Sequence, residues 1–195
     1  ALRPPVEFSL ALIDAAERLA GETATDSNQR ARLKDFVVNR AGSDNNQRVR
    51  AAAVEALGRL KASDRLALVL AAAEGSSQHD RVRQAALDAL GNLDAAEGLA
   101  VAIRYALPGA YNRTRPAAIG ALATLAHHDP EAAFTVLTGL LDDRESRAWH
   151  AAGEALVKLR DARAIPALER LASSKRDPRD QKQVRDWSAA ITPHP

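Results

Sequence analysis

A thirteen-residue motif returns four times along the chain without gaps, at Arg48–Leu60, Arg81–Leu93, Arg113–Leu125 and Arg147–Leu159. Its key leucines, Leu57, Leu90, Leu122 and Leu156, stand 33, 32 and 34 residues apart. A truncated fifth copy runs from Val184 to Ile191. A period of this length marks a supersecondary unit that cannot bury its apolar face alone and builds a core only by stacking on its neighbours.

Each copy reads as a helix. In the second, Val82, Ala85, Ala86, Ala89, Leu90 and Leu93 fall on one face at a 3.6-residue period. The alanines let a neighbouring helix come close, and the leucines fill the remaining volume. After each copy comes a loop and a second apolar helix, expected near Arg65–Ala73, Glu97–Leu107, Glu131–Leu141 and Arg163–Ala172. Asp64, Asp94, Asp129 and Asp161 stand where N-caps belong, and Pro130 at a first helical position. The pattern predicts an all-α protein of about eleven helices, an α-solenoid of stacked antiparallel helix pairs. Residues 1–43 read as a divergent helical pair, about Val6–Leu19 and Asn28–Val38, joined by a polar turn at Gly21–Asp26. Residues 44–172 hold the four repeats, and 173–195 a capping helix and tail in which Trp187 packs the last repeat. No interdomain linker is evident, so 1–195 is expected to form a single domain.

Composition narrows the function. Of 195 residues, 43 are Ala and 24 Leu, while aromatics make up 4%. Alanine favours helices and serves sheet cores poorly, which argues against an all-β fold. The absence of cysteine removes disulfides, thiolate metal sites and a cysteine nucleophile. A net charge of only +2 disfavours a nucleic-acid arm. No run approaches a transmembrane length, and Ala1–Pro5 lacks a signal-peptide layout, so no membrane partner is expected.

The most regular polar feature is a double arginine column. Arg48, Arg81, Arg113 and Arg147 share one repeat position; Arg50, Arg83 and Arg115 share another, matched by Arg185 in the partial copy. Such columns serve either as a basic stripe for an anionic partner or as a ladder bonding loop carboxylates such as Asp44, Asp80 and Glu145, and the near-neutral charge favours the ladder. On the other helix face the variable positions form three columns: Ala51, Gln84, Pro116 and His150; Glu55, Asp88, Gly120 and Glu154; and Arg59, Asn92, Thr124 and Lys158. A partner lying on this face would meet Gln84, Asp88, His150 and Glu154. The loop Tyr105–Tyr111 breaks the repeat with Pro108 and Gly109, and Tyr111 is a candidate contact residue.

Other clusters read as structural. His127 and His128, adjacent on a helix, would diverge by about 100° and not share an ion, with Asp129 left to cap. His79, His150 and His194 are far apart in sequence. Asp142-Asp143-Arg144-Glu145 lacks the glycine and alternating oxygens of a calcium loop and reads as a solvated turn capping the next helix. Gly58 and Gly91 sit at the helix-end position of the repeat. No Ser–His–Asp set or phosphate loop assembles, so no catalytic, metal or cofactor residue is assigned.

The pattern Val-Arg-x-Ala-Ala-x-x-Ala-Leu-Gly-x-Leu resembles the HEAT-like repeats of the phycobilisome-lyase type, over about Asp44–Ile191. The first two copies match almost letter for letter, the third lacks Val and Gly, and the fourth lacks Val-Arg and Gly. That resemblance implies a fold, since such repeats serve scaffolds, lyases and enzyme appendages alike. The order Tyr111–Ile119, Leu140–Asp143, Ala162–Glu169 resembles the C-terminal helical repeats of bacterial aminopeptidase-N-like zinc metallopeptidases. It implies a non-catalytic tail, because that family's His-Glu-x-x-His helix has no counterpart here; the initial Ala1 and the absence of Met fit a fragment. The sequence thus predicts a non-catalytic interaction or scaffold module without cofactor. Its partner is a protein or peptide, or the rest of a larger parent chain; a nucleic acid is the less favoured alternative.

Overall fold

The structure is a computed structural model that describes residues 5–21, 26–76 and 78–192. Most of the turn expected at 21–26 lies outside the described residues, as do Ala1–Pro4 and His194. The described residues form eleven α-helices: α1 (Val6–Gly21), α2 (Ser27–Ser43), α3 (Gln47–Arg59), α4 (Leu66–Glu74), α5 (Arg81–Leu93), α6 (Glu97–Ala106), α7 (Arg115–Leu125), α8 (Pro130–Gly139), α9 (Ser146–Leu159), α10 (Ile165–Ser174) and α11 (Pro178–Ile191). Short 3₁₀ turns lead into α4, α5 and α10 and follow α7 and α8. This is the all-α helical-repeat class expected, with helix ends within a few residues of those read from the sequence.

The chain divides into two compact units, residues 1–98 and 99–195. In the first, α1, α3 and α5 stack side by side in one layer, with α2 and α4 packed behind. In the second, α7, α9 and α11 form the layer, with α8 against α9 and α10 against α11. The repeat motif supplies the layer helices. Val49, Ala53, Val54, Ala56 and Leu57 of α3 are buried, as are Val82, Ala86, Leu87, Ala89 and Leu90 of α5. In the second unit Ala118, Ile119, Leu122, Ala152 and Leu156 do the same work.

Several helix ends are closed as the sequence predicts. Asp129 accepts from the Ala132 N–H at 3.1 Å, with Pro130 opening α8, and Asp161 accepts from the Arg163 N–H at 2.9 Å. Asp26, Asn46 and Asp177 cap α2, α3 and α11 in the same way. Two expected caps do different work. Asp64 lies inside the 3₁₀ turn before α4 and pairs with Lys34. Asp94 ends α5 in the left-handed conformation, φ 56°.

The repeat glycines also differ from expectation. Gly58 and Gly91 lie inside their helices, and the left-handed residues that end α3, α5 and α9 are Lys61, Asp94 and Arg160. The Lys61 and Ala62 N–H groups turn back to Gly58 O (3.1 Å) and Leu57 O (3.0 Å), satisfying the last carbonyls. Gly58 is instead a packing residue: a Cβ there would lie 2.6 Å from the Ala89 Cα on α5. Gly120, in the middle of α7, has open space around it.

Two glycine-to-alanine variants separate these roles. Gly58→Ala should lower unfolding free energy by about 1–3 kcal/mol, because the contact is with backbone. Gly120→Ala should raise it by about 0.5–1 kcal/mol through helix propensity. Urea denaturation of both variants checks the pair.

Candidate functional site

The two arginine columns have different fates. In the second, Arg83 and Arg115 are structural. In α5, Arg83 Nε donates to Ala73 O at 2.7 Å and Nη2 to Gly75 O at 3.1 Å, while Nη1 pairs with Asp80 at 2.5 Å. In α7, Arg115 is 2% exposed; its Nε donates to Ala106 O at 2.9 Å and its two Nη groups hold Asp143 in a fork. The device clamps the last turn of the preceding helix, where carbonyls have no intrahelical donor and the dipole is negative. Arg30 does the same in α2, with Nε on Ala20 O at 2.9 Å, a member of the series that the motif alignment does not contain. Its signal in the sequence is spacing: Arg30 follows Ala20 by ten residues, as Arg83 follows Ala73. Arg50 Nε is buried without a hydrogen-bond partner, and the matching Arg185 of α11 is exposed.

Asp143 is therefore no part of a solvated turn. Its side chain is nearly buried, its carboxylate takes the Arg115 fork and the Glu145 N–H at 2.9 Å, and the Arg115 hydrogen bonds hold its pKa below the ordinary carboxylate value. Asp143 alone is the other half of the buried ion pair, while Asp142, Arg144 and Glu145 around it are exposed, and losing one partner of such a pair costs about 3–5 kcal/mol.

The first column faces solvent. Arg48 reaches Glu7 of α1 at 3.2 Å, and Arg81, Arg113 and Arg147 are exposed. Tyr111 is also exposed, its carbonyl accepting from the Thr114 N–H at 2.8 Å at the start of α7. The His127–His128 step departs from its expected geometry. The residues lie in a 3₁₀ turn, and their rings are tilted with centroids 4.1 Å apart, while Asp129 turns away to cap α8.

Of the variable columns, the one through Ala51, Gln84, Pro116 and His150 is buried or half-buried, and the other two hold the solvent-facing residues, among them Arg59, Asp88, Asn92, Glu154 and Lys158. In the first unit, Arg59 of α3 bridges two helices: its Nη2 lies 2.7 Å from Glu17 of α1, and its Nη1 2.5 Å from Glu55 one turn back. The Glu17 hydrogen bond leads the effects that raise the Arg59 pKa. Asp88 of α5 is exposed as a residue, yet partial burial of its carboxyl, and then the charge of Glu55, push its pKa up to about 6. Gln84 is half-buried and donates to His79 O at 2.9 Å. In the second unit, Lys158 donates to Thr124 Oγ1 at 2.8 Å, and Glu154 is exposed.

His150 is not a bare surface residue. Its ring stacks on Trp149 with centroids 3.8 Å apart and meets Trp187 of α11 edge-on at 5.7 Å. Lys175 Nζ lies 3.6 Å from the centre of the Trp149 ring, and burial there lowers its pKa. Trp187 packs the last repeat as expected, over Gly153, where an added Cβ would lie 2.2 Å from the nearest atom of its ring.

The layers, the closely packed small residues and the clamped helix ends define a helical-repeat protein. The chain carries HEAT-like repeats: residues 35–123 match the family model of HEAT repeats, and residues 150–174 that of the PBS lyase HEAT-like repeat. Among solved structures it is similar to a designed armadillo repeat protein in complex with the peptide (KR)4, at 16% identity and a TM-score of 0.56. That likeness covers 92% of this chain and 99% of the other. It bears on the fold alone. No curated protein matches the sequence. Among the described residues, no helix is long and apolar enough to cross a membrane.

The raised pKa of Asp88 gives a pH signature. An ordinary aspartate titrates near 3.8 and Asp88 in the fold near 6. Above both values the folded chain bears the cost of an ionised Asp88; below both, the carboxyl is neutral in either state and the cost vanishes. Asp88→Asn should thus stabilise by about 0.5 kcal/mol at neutral pH, a modest gain because solvent screens this site. The gain should fade below about pH 4, and thermal melts of the two proteins across pH check it.

Proposed function

We propose that this chain is a non-catalytic interaction module that holds a protein or peptide segment against the exposed face of its repeat helices. One observation carries the reading. The outer face of α1, α3 and α5 presents three carboxylates, Glu17, Glu55 and Asp88, with Arg59 engaged between the first two. Glu55 and Asp88 repel, and a cationic side chain set between them would relieve that repulsion and draw the raised Asp88 pKa back down. A Lys- or Arg-bearing peptide fits this chemistry, and Asn92 beside the row offers a polar contact. The structural neighbour bound to (KR)4 supports the same class of partner for this fold.

In this reading Gln84 and Asp88 are contact residues on the first unit, and Tyr111 and Glu154 are contact residues on the second. His150, held by two tryptophans, offers a fixed aromatic edge. Arg48, Arg81, Arg113 and Arg147 provide exposed donors for carboxylates of the partner. The chain 1–195 acts as one such module. A finer placing, as the C-terminal helical domain of an aminopeptidase-like zinc metalloprotein, is supported by the resemblance of residues 111–119, 140–143 and 162–169 alone. There the rest of the parent chain would take the partner's place.

Fluorescence anisotropy with a labelled (KR)4 peptide tests the proposal. Binding is expected at low salt, to weaken as salt rises and to fall at least about tenfold in Glu55→Lys/Asp88→Lys. Equal binding by that variant and the parent would remove this face as the site.

A further inference from the structure

Acid and base recur together on the solvent-facing columns of the repeat. In α3, Glu55 is followed four residues later by Arg59, and in α9, Glu154 by Lys158. Helix α7 has neither, with Gly120 and Thr124 at those positions. Helix α5 breaks the rule: Asp88 is an acid, and Asn92 stands where the cation belongs. Residues four apart share a helix face, so an acid with a cation after it is compensated within its own helix. Arg59 does more. Its Nε and Nη2 donate to Glu17 of α1 and its Nη1 to Oε1 of Glu55, so one guanidinium fills the interval between α1 and α3. In the next interval, between α3 and α5, Glu55 and Asp88 have no cation set between them. Asp88 has no cationic partner among the described residues, and what acts on its carboxyl is burial and then the charge of Glu55. Asn92 is exposed, and Lys61 donates to its backbone carbonyl rather than to either acid.

We propose that the interval between α3 and α5 is an arginine subsite, where a guanidinium of the bound peptide lies between Glu55 and Asp88 as Arg59 lies between Glu17 and Glu55. This rests on the face holding a peptide, as proposed above, and adds which side chain it selects. The molecule itself displays the ligand, because the same pair of carboxylates on adjacent helices is bridged by a guanidinium one interval earlier. A guanidinium presents N–H groups in several directions within one plane and can serve two separate acids, whereas an ammonium is a compact, strongly hydrated point charge. Glu55 can take part in both intervals: Arg59 uses Oε1, and Oε2 is left for the peptide. Neutral Asn92 keeps the subsite open. An arginine there would follow Asp88 by four residues, as Arg59 follows Glu55, and would close it from within. The two intervals thus differ in the source of their cation, internal in the first and supplied by the peptide in the second.

Fluorescence anisotropy of the full chain with labelled (GR)4 and (GK)4 peptides at low salt tests the subsite. The parent should bind (GR)4 at least about fivefold more tightly than (GK)4. Asn92→Arg, at an exposed position that tolerates the change, should lose that preference and bind (GR)4 at least about tenfold more weakly. Ala67→Arg adds the same charge at an exposed position of α4, behind the layer, and should keep both the preference and most of the affinity. Equal binding of the two peptides by the parent overturns the subsite while leaving the peptide face standing. So does an equal loss in Asn92→Arg and Ala67→Arg. A parent that binds neither peptide removes the reading of the face, and the subsite with it.

Discussion

At Gly58 the backbone of α3 comes so near α5 that an added methyl would sit 2.6 Å from the Ala89 Cα. That closeness is the constraint on which the rest of the layer depends. Helices this near exclude large side chains from the line of contact, so the repeat places Ala there and sends Leu57 and Leu90 into the space behind, where both are fully buried. A core built on small residues gains little from any one side chain and much from continuous close packing. The second unit varies the same solution: at Gly153 of α9 the missing side chain leaves room for the Trp187 ring of α11.

The arginine clamps fix the pairs that the small residues bring together. Each guanidinium reaches back from its helix to a carbonyl in the last turn of the helix before it, Arg30 to Ala20, Arg83 to Ala73 and Arg115 to Ala106. In the last two, a loop carboxylate neutralises the charge, Asp80 and Asp143 respectively. The series stops at Trp149, which takes the arginine position in α9 and builds an aromatic cluster with His150 and Trp187 instead. The polar columns and the clamps thus divide the arginines. Arg83 and Arg115, which hold the fold, are partly or fully buried, whereas Arg30 clamps from an exposed position and Arg81, Arg113 and Arg147 of the first column face solvent.

Helix positions and the all-α repeat class could be read from the chain because periodicity is a local signal, as at Val82–Leu93 and at the caps Asp129 and Asp161. The misread features depend on partners distant in sequence. Asp143 looks like a surface acid until Arg115, 28 residues earlier, is placed against it. Gly58 looks like a helix terminator until Ala89 arrives. Asp94 looks like a cap for the next helix, and only the backbone shows it ending the previous one in a left-handed turn. The acidic character of the outer face was partly visible in the column Glu55 and Asp88, but Glu17 lies in the divergent first helix, outside any alignment of the motif.

The most direct test of the packing account is a double-mutant cycle at Gly153 and Trp187. The account predicts that Gly153→Ala is costly beside the tryptophan, by about 1–3 kcal/mol in chemical denaturation, because the new methyl overlaps the ring. In a Trp187→Leu background the same alanine should cost nothing or stabilise slightly, helix propensity then being the only effect left. An equal cost in both backgrounds would contradict the claim that small residues in these helices exist to admit their neighbours.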